Sequence, residues 1–90
     1  MTTRELKITK GILDFLHGLD GGQATETQIH QGIIATWSPA EAKPSAGELA
    51  AALNNCDAEK WIVGVPSRFN ARVMKWCIAD EGELARQQMN

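Results

Sequence analysis

Ninety residues leave room for one hydrophobic core and too little for two. Hydrophobic residues make up 43% of the chain and charged residues 22%, which excludes a disordered polymer, and no apolar run approaches the roughly 20 residues of a membrane-spanning helix. The net charge of −2 excludes a globally basic chain that grips nucleic acid nonspecifically.

The segment Met1-Thr2-Thr3-Arg4-Glu5 lacks the basic-then-apolar order of a secretory signal, so the expected compartment is the cytosol (cytoplasmic). Ile8, Ile12, Phe15, Leu16 and Leu19 then recur at helical spacing and predict an amphipathic first helix. Lys7, Lys10 and Asp14 fall off that stripe. Thr2 or Thr3 is the candidate cap, with Glu5 in the first turn. Gly18 and the Asp20-Gly21-Gly22 cluster end the helix.

Gln23 and Ala24 read as a brief extended stretch. Thr25 is a good N-cap for a second helix, whose face is Ile29, Ile33, Ile34 and Trp37. Gly32 weakens that helix by roughly 1 kcal/mol relative to Ala, and its small size suits a close helix crossing. Residues 38–44 hold Pro39 and Pro44 and form a connection, in which Pro39 is able to start an extra turn.

Ser45-Ala46-Gly47-Glu48 matches a capping box, with Ser at the cap and Glu three residues on, so that two orphan N–H groups are satisfied reciprocally. It is the best-marked helix start in the chain. Leu49, Ala52, Leu53 and Cys56 form the inward face of this third helix, and Gly47, Glu48, Ala51, Asn54 and Asn55 fall on the outward one. Two β-rich runs follow, Trp61-Ile62-Val63-Gly64-Val65 and Arg72-Val73-Met74-Lys75-Trp76-Cys77-Ile78. The polar loop 66–71 between them makes a hairpin. Asp80 is the expected cap of a last short helix over residues 81–89. No repeat or linker divides the chain, so residues 1–90 are read as one domain.

The element order, α+β overall, resembles the winged-helix (winged helix-turn-helix) family, especially small bacterial and phage regulators of the MarR-like and PadR-like type. Two stretches carry the resemblance. One is Glu48-Leu49-Ala50-Ala51-Ala52-Leu53 followed by Lys60-Trp61-Ile62. The other is Trp76-Cys77-Ile78-Ala79-Asp80-Glu81-Gly82, where Ala79 stands in place of the usual Thr. The resemblance implies a three-helix core, a two-stranded β-wing and a short C-terminal helix.

It also implies a small transcriptional regulator that binds double-stranded DNA, with the third helix in the major groove and the wing along the backbone or minor groove. Ser45, Gly47, Glu48, Ala51, Asn54 and Asn55 would then belong to the reading helix, and Arg68 and Arg72 to the wing. Asn is able to bond bidentately to adenine, and Ala51 to meet a thymine methyl. Asn is also common where helices end, and that is the commoner role for Asn54 and Asn55. From Lys60 to Ala79 the chain carries Lys60, Arg68, Arg72 and Lys75 and no acidic residue, either for phosphates or to guard a sheet edge. The third helix argues the other way: it holds Glu48 and no Lys or Arg, and Asp57 and Glu59 follow closely. The alternative is a winged-helix protein–protein interaction module without DNA binding. The last helix, with Leu84 and Met89, either packs on the first or offers a homodimer surface.

Enzyme chemistry finds no foothold. There is no Ser-His-Asp arrangement, phosphate loop or paired-carboxylate motif. Cys56 and Cys77 are not in a Cys-x-x-Cys pair, and with His17 and His30 they match no zinc spacing. Both read as reduced core residues, with a disulfide as the minority alternative. His17 suits a helix C-terminus, and His30 is expected in solvent. Trp37, Trp61 and Trp76 read as core. No metal, cofactor, small-molecule ligand or membrane is called for.

Overall fold

A computed structural model describes residues 2–70 and 72–89. Helix α1 spans Thr3–Gly18, and the Thr2 hydroxyl caps it by accepting the Glu5 N–H at 3.1 Å. Ile8, Thr9, Ile12, Leu13 and Leu16 are its buried residues. Leu13 joins them because α1 is covered on more than one side, by α2, α3 and α4. Phe15 and Leu19 border the core rather than fill it.

The short strand β1, Ala24–Thr25, precedes helix α2, Glu26–Thr36. Thr25 caps α2 with a full capping box: its hydroxyl accepts the Gln28 N–H at 3.2 Å, and the Gln28 side chain accepts the Thr25 N–H at 2.9 Å. Ile29 and Ile33 face the core. Gly32 faces α1 with the Phe15 ring laid against it, so that a Cβ there would stand 2.3 Å from Cε2 of Phe15. The close contact is with a side chain of α1.

Helix α3, Ala46–Ala58, begins at the predicted Ser45–Glu48 box. It ends in a Schellman motif, in which the Trp61 N–H donates to the Cys56 carbonyl at 2.9 Å and the Lys60 N–H to Asp57 at 3.0 Å. The motif places Lys60 in the left-handed region at φ 63°, a position that favours glycine.

Strands β2, Ile62–Pro66, and β3, Met74–Ile78, pair antiparallel, with Gly64 opposite Trp76. The Trp76 ring lies over the bare Gly64 backbone, where a Cβ would meet it at 2.8 Å. The sheet has three strands, in the order β1-β3-β2, with Thr25 opposite Lys75. The expected two-stranded wing is thus extended by β1 at its base. Ile62 on one sheet face is buried, while Val63 on the other is exposed.

Helix α4, Asp80–Gln88, packs on α1 through His17–Glu83 at 2.8 Å and Arg86–Asp14 at 3.2 Å. The expectation of an Asp80 cap is corrected. Ala79 is the N-cap and makes no side-chain cap bond, and Asp80 is the first helical residue. The turn is fixed instead by the Ala79 N–H donating to the Trp61 carbonyl at 2.9 Å. Gly82 seats against the same carbonyl, 2.1 Å from where its Cβ would be. His30 also departs from its expected place in solvent: it is half-buried, and its Nε2 lies 2.8 Å from the Pro44 carbonyl, tying α2 to the α3 approach. Cys56 is buried, Cys77 is half-buried and both are free. All three Trp side chains pack against the core at its margin.

Among the described residues no helix is long and apolar enough to cross a membrane, and no cluster of His, Cys, Asp and Glu is placed to hold a metal ion.

Candidate nucleic-acid interface

The capping box decides what the start of α3 presents. Ser45 Oγ accepts the Glu48 N–H at 3.1 Å, and the Glu48 carboxylate accepts the Ser45 N–H at 3.1 Å. The same carboxylate takes two bonds from the Arg4 guanidinium, at 2.5 and 3.0 Å. Arg4 reaches further, donating to the Ala42 carbonyl at 3.1 Å, and sits 5.9 Å from the centre of the Trp37 ring. The Arg4 bond, reinforced by the Ser45 backbone, lowers the Glu48 pKa from 4.5 to about 2.

Glu48 was expected on the outward face. It lies half-buried on the flank toward α1, because three strong donors hold it there. Asn55 lines the same flank. Together with Glu5, Ile8, Thr9, Ala51 and Ala52 it borders a groove of about 240 Å³ between α1 and α3. The outermost stripe of α3 is Gly47, Ala51, Asn54 and Ala58, all exposed. That stripe is small and uncharged. Asp57 and Glu59 are exposed at the far end of the helix.

Ion pairing sorts the cations. Arg4 pairs with Glu48, Lys7 with Glu41, Lys10 with Asp14, and Arg86 with Asp14 and Glu83. Among the described residues, Lys43, Lys60, Arg68, Arg72 and Lys75 have no ion-pair partner. Lys43 and Lys60 bracket α3, and the other three lie on the hairpin. Sequence reading missed Lys43, since its isolation appears only once Glu41 is seen to be taken by Lys7.

At the hairpin tip Arg68 and Arg72 are exposed. The turn between the strands is closed by Ser67 N–H to Val73 carbonyl at 2.8 Å and Val73 N–H to Asn70 carbonyl at 2.9 Å. Asn70 Oδ1 accepts the Arg72 N–H at 3.0 Å. Lys75 is half-buried in the ladder between Thr25 and Val65.

The three-helix core and the hairpin align with solved structures over almost their whole length. A mutant MarR from E. coli matches at TM-score 0.70 and 13% identity, over 99% of this chain and 54% of that one. Wild-type apo MarR from E. coli matches at 0.65 and 13%, over 99% of this chain and 55% of that one. This chain has the winged-helix fold. FabT from Streptococcus pneumoniae, solved in complex with DNA, matches at TM-score 0.60 and 17% identity, over 98% of this chain and 51% of that one. The winged helix described here therefore spans about half the length of the structures it matches. No family model matches the sequence, and no curated protein matches it significantly. In winged-helix terms, α3 is the third helix of the core and the β2–β3 hairpin is the wing.

Proposed function

We propose that this chain is the double-stranded-DNA-binding part of a small winged-helix transcriptional regulator. Helix α3 enters the major groove and the wing lies along the backbone. The observation that carries this reading is the placement of the unpartnered cations: they bracket α3 and populate the wing, while the other basic side chains pair internally. The likeness to a structure solved with DNA adds support at the level of the fold.

In this reading Gly47, Ala51 and Asn54 meet base edges, and Asn55 lies at the flank. Ser45 and Glu48 act through the cap, holding α3 at its angle. Arg68, Arg72 and Lys43 contact phosphates. With this few contacts, affinity from one copy is modest at physiological salt, so binding is expected to use a homodimer or a protein partner.

The test is an NMR titration of the full chain with mixed-sequence duplex DNA at low salt. Amide shifts should cluster in residues 43–60 and in the wing, and should weaken when Arg68 and Arg72 are both changed to Ala. An unshifted spectrum at low salt would remove the reading and leave a protein-binding module in its place.

A further inference from the structure

Phe69 is an apolar side chain at a place where phosphate binding alone asks for none. It is 97% exposed, the most exposed large hydrophobic of the described residues. The turn that carries it is closed by bonds among Ser67, Asn70, Arg72 and Val73, none of which uses the ring. The Phe69 N–H adds a longer bond to Ser67 Oγ at 3.4 Å. The ring takes no part in closing the turn and stands in solvent. Arg68 precedes it and Arg72 follows three residues on, both exposed and both without an ion-pair partner.

An exposed ring flanked along the chain by two arginines without ion-pair partners fits a target that is anionic at its rim and aromatic within. A duplex groove has that character, with phosphates at its walls and stacked bases at its floor. A lipid surface fits less well, because stable membrane binding needs far more apolar area than one side chain offers. We propose that Phe69 is a wedge: it enters the minor groove and partly opens a base step, while Arg68 and Arg72 hold the flanking phosphates. This rests on the DNA reading above. Pyrimidine–purine steps open most cheaply, so the wedge confers a sequence preference at a position where no base is hydrogen-bonded. The duplex kinks at that step.

The test uses the full chain, at low salt, with a mixed-sequence duplex carrying 2-aminopurine beside a central TA step. Anisotropy reads affinity, and 2-aminopurine fluorescence reads unstacking. Binding of the wild type should raise the fluorescence. Phe69→Ala should bind roughly ten-fold more weakly, as expected for a lost aromatic–base contact, with the same salt slope and no fluorescence rise. Arg68→Ala should keep the rise and lower the salt slope by about one. Because Phe69 is exposed, circular dichroism should report an unchanged fold for its variant.

If Phe69→Ala binds as the wild type does, or weakens while the rise persists, the wedge is overturned and the DNA reading stands. If the wild type binds no duplex at all, both fall. Phe69-dependent binding to anionic vesicles or to a polypeptide, without duplex binding, also overturns the wedge.

Discussion

The guanidinium of Arg4 holds both carboxylate oxygens of Glu48, at 2.5 and 3.0 Å, and so joins the first turn of α1 to the first turn of α3. The Glu48 pKa is lowered from 4.5 to about 2. A lowered carboxylate pKa contributes stability in full above the unfolded value, and that contribution is lost as pH falls through the folded one.

Glu48→Gln keeps the reciprocal cap and removes the charge. Its thermal midpoint should lie below the wild type near pH 7. The gap should close as pH falls from 4.5 toward 2, the interval in which the unfolded chain binds the Glu48 proton before the folded one does. A gap that stays constant with pH would show that the ion pair contributes nothing.

Three glycines should separate in denaturant midpoints. Gly82→Ala sets a methyl 2.1 Å from the Trp61 carbonyl oxygen, which is already bonded to the Ala79 N–H, so neither side can give. A loss of about 3 kcal/mol is expected, at the upper end for overpacking. For Gly32→Ala the nearest atoms are those of the Phe15 ring, which can swing, and Ala regains about 1 kcal/mol of helix propensity, so a smaller loss of about 1 kcal/mol is expected. Gly18→Ala meets nothing within 4 Å and should gain up to about 1 kcal/mol. An equal response at all three would contradict this packing.

Lys60 holds a left-handed φ of 63° in the Schellman motif. Lys60→Gly relieves that conformation and should raise stability by about 1 kcal/mol, whereas Lys60→Ala should not. Chemical denaturation of the two variants against the wild type decides it.

Cys56 is fully buried, and burial pushes its thiol up to about 12. It is therefore protonated and shielded near neutral pH. Cys77, half-buried on the sheet, should be alkylated first in the native protein. Cys56 should label only as fast as the core opens, and denaturant should equalise the two. Mass spectrometry of a labelling time course reads both rates. Equal native rates would contradict the burial.

Local chemistry was legible where one segment completes it. The Ser45–Glu48 box closes within one helical turn, and the hairpin strands announce themselves by β-branched and aromatic residues. The α2 box is only half legible, since Thr25 marks a cap while Gln28 is one of several polar residues in the first turn. What the sequence conceals are bonds between segments distant along the chain. Asp80 looks like a cap in sequence because the Trp61 carbonyl that fixes the α4 turn lies just before β2, far back along the chain. His30 looked solvated because its partner is a carbonyl in an irregular connection. Glu48 looked outward-facing because Arg4 lies 44 residues away. For the candidate interface, the basic wing was visible in composition, but the pairing that leaves Lys43 free and the exposure of Phe69 were not.

Thr25 is a member of two structures at once. It stands opposite Lys75 in the sheet, and its hydroxyl and N–H complete the cap of α2. The wing is thus hinged to the helices at a residue with no slack. Tilting the hairpin must either break the β1–β3 pairing or unseat the first turn of α2. A load applied at the hairpin tip would travel down β3 to that residue, so the hairpin is coupled to the helices as a lever rather than a trailing arm.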